Sequence, residues 1–133
     1  MSKLTTEVKN VISRQGVFPI ATASRDGVPN VVPMTFVKVY DDENLLVVDN
    51  FMHKTKQNIE SNPYMSICVW DQENKLSYQI KGKVTIHDLG PVFDQARVWV
   101  KEKMPALQPK SAVLLKVTNI YVCQPGESLG QEL

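Results

Sequence analysis

The chain is short of the residues that carry metal and nucleophile chemistry: among 133 residues there are only 2 cysteines and 2 histidines. Cys68 and Cys123 each lie inside an apolar, strand-like run, with no C-x-x-C spacing. They are expected as reduced, buried thiols of a cytoplasmic protein, with a disulfide between them as the less favoured alternative. His53 and His87 are far apart in sequence, and neither cysteine has companion ligands, so no metal centre is expected. No apolar run approaches the ~20 residues of a membrane span. The N-terminal stretch, Met1 to Val8, lacks an apolar core and a small-residue cleavage site, so no signal peptide is expected there. No Ser/His/Asp or Cys/His arrangement asks for a nucleophile, and no paired carboxylates suggest hydrolysis. No catalytic side chain is nominated. The net charge is only +1 and the basic residues are scattered. That excludes a nucleic-acid or anionic-membrane surface as the main business of the chain.

What is present is ordinary globular composition, 43% hydrophobic and 22% charged, enough for one domain with one core. Leu4, Val8, Val11 and Ile12 recur at helical spacing, and Gly16 closes that helix. A strand from Val17 to Ala23 enters the turn Ser24-Arg25-Asp26-Gly27, where Asp-Gly signals a hairpin. A long second strand, Val28 to Tyr40, follows, and the third runs from Leu45 to Asp49. Asn62-Pro63 stops the short helix that follows, and Tyr64 to Trp70 makes a fourth strand. Leu76 to His87 alternates, with Leu76, Tyr78, Ile80, Val84 and Ile86 on one face and His87 expected on the solvated other. Gly90-Pro91 opens a helix whose stripe, Val92, Ala96, Trp99, Val100 and Met104, reads as core or subunit interface. Ala112 to Cys123 is the last strand. A single domain is expected over residues 1–124, with a polar, loose tail over 125–133. Six strands joined mostly by tight turns, with short flanking helices, predict a mainly β, α+β fold: an antiparallel sheet closed into a barrel.

Two local features carry functional information. The short helix after the third strand begins with its charges reversed. A helix N-terminus presents unpaired N–H groups and a partial positive charge, so acids are usual there. Here Lys54 and Lys56 flank Thr55, the best N-cap candidate, and the acid, Glu60, comes late. A bound phosphate or carboxylate would supply the missing negative charge. The plainer alternative is two lysines on a solvated turn. The second feature is Pro29 and Pro33 within the second strand, since proline cannot donate to a ladder. This reads as a bulged edge strand or as a bulge that turns Thr35 toward a ligand.

The order Ala21-Thr22-Ala23-Ser24, then Asp26-Gly27-Val28-Pro29-Asn30-Val31-Val32-Pro33-Met34, then Met52-His53-Lys54-Thr55 with Asn58 and Asn62-Pro63, resembles the FMN-binding split-barrel superfamily of pyridoxamine 5′-phosphate oxidase. The likeness is closest to its short, single-domain FMN-binding proteins, and Met-His-Lys-Thr is its most specific part. The resemblance implies a six-stranded split barrel forming a homodimer, with FMN at the subunit interface. It implies that Lys54, Thr55 and Thr35 hold the phosphate. Pro33, Met34, Val48, Asp49 and Asn50 would border the flavin ring and ribityl chain, and Gln79 is a weaker candidate. The chain departs from the oxidases in lacking an arginine in Pro33-Met34-Thr35-Phe36-Val37 and an Arg/His pair near its C-terminus; Arg14, Arg25 and Arg97 are its only arginines. Vitamin B6 oxidation is therefore not expected. The favoured expectation is a cytoplasmic FMN flavoprotein with a small-molecule or protein electron donor and acceptor, and, if an enzyme, a flavin-dependent reductase. The alternatives are a non-enzymatic FMN electron carrier or sensor, or a split barrel binding a deazaflavin or haem.

Overall fold

Helix α1 (Thr6–Arg14) forms where the apolar spacing places it, and Leu4, Val8, Val11 and Ile12 are all buried. Thr5 caps it, its hydroxyl accepting the Val8 N–H at 3.2 Å. The computed structural model describes residues 4–133; residues 1–3, the start of the stretch in which no signal peptide is expected, lie outside it. The sheet strands are β1 (Phe18–Ala23), β2 (Pro29–Met34), β3 (Val37–Val39), β4 (Asn44–Asp49), β5 (Tyr64–Asp71), β6 (Leu76–His87) and β7 (Ser111–Val122). They pair in the order β2-β1-β5-β6-β7-β4-β3, every pairing antiparallel.

The sheet has 7 strands rather than six because the expected second strand is two. β2 pairs with β1, whereas β3 pairs with β4 at the opposite end of the order. Pro33 lies opposite Pro19, so neither can donate, and the β1 ladder stops at Phe18↔Met34. Only Thr35 and Phe36 separate the two strands. The two edges of the sheet are thus joined by a two-residue link, and the sheet must curl into a half-barrel to satisfy it.

Strand β4 is apolar without alternation because it is covered on both faces. Leu45 and Val47 point into the main core with Phe18, Ile20, Ile67, Tyr78, Ile80, Leu115 and Ile120. Leu46 and Val48 join a second cluster with Phe36, Ala112 and the Ala96 and Val100 positions of helix α3 (Pro91–Lys103). The expected stripe of α3 therefore buries Ala96 and Val100, with Val92 and Trp99 packed beside them, while Met104 remains 51% exposed.

Three local expectations are corrected. Cys68 and Cys123 are free but exposed, not buried. On β5 the alternation turns Met65, Ile67 and Val69 inward and leaves Cys68 outward. The C-terminal segment is not loose: Gly130 N–H donates to the Val122 carbonyl and Leu133 N–H to that of Ile120, each at 2.8 Å. His87 sits on the outer side of β6 but is half-buried, its Nε2 2.8 Å from Thr85 Oγ1.

Candidate functional site

Strand β4 delivers its last residue, Asp49, into a buried polar cluster. Asp49 Oδ1 accepts the Met52 N–H at 2.9 Å, and Oδ2 accepts from Lys56 Nζ at 3.1 Å and Ser111 Oγ at 3.0 Å. The turn 50–53 then leads into helix α2 (Lys54–Ser61). Its N-cap is His53, with no side-chain capping bond, and its first turn contains no acid. Thr55, expected as the cap, is instead inside the helix and buried, its hydroxyl accepting from Asn30 Nδ2 at 3.1 Å. Asp49 Oδ1 closes the turn immediately before this helix start.

The reversed charge is therefore real but smaller than expected. Lys56 is neutralised by Asp49. Lys54 is exposed and has no ion-pair partner among the described residues. It stands beside N–H groups that a helix start leaves without intrahelical partners.

These groups open onto a cleft of about 730 Å³. One wall comes from β2 and the link to β3: Asn30, Val32, Pro33, Met34, Thr35 and Phe36. Another comes from Val48 and the turn, Asn50 to Lys54, with Thr55; Met104 and Leu107 close it from beyond α3. Of the expected ligand contacts, Pro33, Met34, Thr35, Val48, Asn50, Lys54 and Thr55 all line the cleft. Asp49 does not. Its side chain faces β7 and its carbonyl accepts the Lys110 N–H at 2.8 Å. Gln79 lies elsewhere, on β6 opposite Cys68 and Tyr121.

Asn50 is the most telling wall residue. Its Oδ1 is buried and has no hydrogen-bond partner among the described residues. A buried acceptor left unpaired costs about 1–3 kcal/mol, so a ligand N–H or O–H there would restore what folding gives up. Asn30 was missed by sequence reasoning. Its amide bridges Thr22 and Thr55 at 3.3 and 3.1 Å, and Asn58 also donates to Thr22 at 3.0 Å. With its oxygen accepting from Asn30, the Thr55 hydroxyl keeps its proton for an acceptor in the cleft. Met104 and Leu107 were also missed as lining, because only the packing of α3 brings them there. Among the described residues, no group of three or more His, Cys, Asp and Glu could hold a metal ion.

A curled antiparallel half-barrel with this cleft defines the split-barrel class. The model of the pyridoxamine 5′-phosphate oxidase family matches residues 4–124, and the chain belongs to that family. An uncharacterised protein of Methanocaldococcus jannaschii is 40% identical over 131 residues, covering 97% of this chain and 87% of that one. The crystal structure of HupZ from Group A Streptococcus superposes with a TM-score of 0.83 at 29% identity, covering 95% of this chain and 98% of that chain. More distant likenesses show the fold alone. An FMN-binding protein of Syntrophomonas wolfei has a TM-score of 0.78 at 13% identity, covering 90% of this chain and 85% of that chain. The haem storage protein HutZ of Vibrio cholerae has a TM-score of 0.67 at 18% identity, covering 91% and 95%. No helix among the described residues is long and apolar enough to cross a membrane.

Proposed function

We propose that the cleft binds FMN and that the protein is a homodimeric, cytoplasmic flavoprotein serving electron or hydride transfer. The observation that carries this reading is the start of α2. An uncapped helix terminus without acids, the exposed Lys54 and the buried Thr55 hydroxyl meet at one wall of an otherwise apolar cleft. That combination suits a flat aromatic body with a phosphate tail. The orphaned Asn50 Oδ1 supports it, since an isoalloxazine edge or a ribityl hydroxyl supplies the donor it lacks. Val32, Met34, Phe36, Val48 and Leu107 would exclude water from the ring. Thr35, Lys54 and Thr55 would hold the phosphate. Bound FMN would supply the redox chemistry, while this chain supplies binding, orientation and electrostatics. Oxidation of pyridoxamine 5′-phosphate is not part of the proposal, because the cleft is lined by no arginine to grip a second phosphate.

A haem reading has one observation in its favour: His53 lines the cleft and could reach an iron. His53 is exposed, however, and the helix start would take a haem propionate as well as an FMN phosphate, so it does not favour haem. The visible absorption spectrum of the protein as purified, or after incubation with FMN or haem, decides the matter. A tightly retained flavin spectrum is the expected result. A haem Soret band, or no flavin retained after gel filtration, would overturn the FMN reading.

A further inference from the structure

Asp49 lines no part of the cleft, yet it bonds to the turn and to the helix that carry Asn50, Lys54 and Thr55 of the cleft wall. Through Oδ1 and the Met52 N–H, at 2.9 Å, it closes the turn between β4 and α2. Through Oδ2 it holds Lys56, in the first turn of α2, and Ser111, the first residue of β7. Lys56 Nζ also reaches Ser111 Oγ at 3.1 Å, so carboxylate, ammonium and hydroxyl form a closed triangle. The carboxylate is 1% exposed. A buried ion pair is seldom the most stable way to fill such space, so its presence asks for a positional reason.

We infer that Asp49 is a positioning residue for the phosphate end of the cleft. It fixes the turn 50–53 and the first turn of α2, so that Asn50 Oδ1 and Lys54 face the ligand. The inference rests on the FMN reading above. It accounts for the charge pattern at the helix start: Lys56 is held inward against Asp49, and Lys54 alone is left for the ligand. It also accounts for the orphaned Asn50, the residue next to Asp49 in a turn whose geometry the carboxylate sets.

The test is a double-mutant cycle on the full-length chain, titrated with FMN and with riboflavin and followed by flavin fluorescence. Asp49→Ala should weaken FMN binding by about tenfold, and the loss should shrink to within about twofold when Lys54 is already alanine. Riboflavin should lose less than FMN. Losses that multiply independently would overturn the inference, as would a lower Tm with unchanged FMN affinity in the folded protein. If Asp49→Ala does not fold, Asp49→Asn takes its place in the cycle. That change keeps an acceptor for Met52 but turns an amide toward Lys56 and Ser111, and the same non-additivity with Lys54 is required. A Lys54→Ala variant that binds FMN like the parent would remove the phosphate reading itself, an outcome distinct from independence of the two residues.

Discussion

Lys54 and Lys56 are two residues apart and have opposite fates. Lys56 is held by Asp49 with its side chain 25% exposed, whereas Lys54 projects at the cleft with no such partner among the described residues. A charge-assisted contact from Lys54 to a phosphate is worth about 1.5–3 kcal/mol. Lys54→Ala is therefore expected to weaken FMN binding roughly ten- to a hundredfold, each ~1.4 kcal/mol being a factor of ten. Riboflavin has no phosphate, and its affinity should hardly move. Equilibrium titration with both flavins checks this, and equal losses for the two would show that the phosphate lies elsewhere. The acid-free helix start was visible in sequence because a missing acid can be counted. That Lys56 is already paired was not, because its partner lies across a turn and Ser111 joins from 62 positions beyond Asp49.

At the scale of elements, β6 carries two features with measurable consequences. β6 changes register between Lys81 and Gly82, and a Cβ built on Gly82 would lie 2.1 Å from the Lys116 carbonyl oxygen of β7. The obstacle is backbone and cannot swing aside. Gly82→Ala should destabilise the fold by about 1–3 kcal/mol, read as a drop in denaturation midpoint. Four residues earlier, Tyr78 sends its hydroxyl to Glu7 of α1 and ties helix to sheet. Burial first, then the hydrogen bond and negative charge of Glu7, raise its pKa from 10.0 to about 12. In the unfolded chain the phenol loses its proton near 10, in the folded protein only near 12. Its contribution is therefore fully present below pH 10 and lost as pH rises through 12. Thermal melts of Tyr78→Phe should show a shallower alkaline fall over that window, at a cost of about 1 kcal/mol near neutrality. An unchanged alkaline slope would show that Tyr78 does not govern it. Periodicity disclosed most of these elements: α1, β6, α3 and β7 lie close to their expected bounds. The division of Val28 to Tyr40 did not follow from periodicity. The prolines marked an interruption, but only pairing reveals that the two pieces join opposite ends of the sheet.

At the scale of the whole molecule, the least complete part is the edge that forms the cleft. β2 contributes little to the core: only its last residue, Met34, packs against the main cluster. Asn30, Val32 and Met34 are half-buried and line the cleft, Pro33 lines it while exposed, and Pro29 and Val31 are exposed outside it. Val28 and Val31 are 63% and 66% exposed, and Phe51, across the cleft mouth, is 72% exposed. An edge strand with apolar residues on both sides is a poor end state in water. A ligand covers one side only, so the other needs a protein surface, and a second copy of the chain is the simplest one. Such a dimer would place the cleft mouth near the subunit contact and couple flavin retention to association. Light scattering at micromolar concentration is expected to give twice the 15.0 kDa chain mass. Val31→Lys, on the exposed side and outside the cleft lining, should shift the mass toward monomer and loosen FMN together. A parent protein that is monomeric with flavin bound would refute the dimer. A Val31→Lys monomer that keeps FMN as tightly would instead show that one chain closes the site alone.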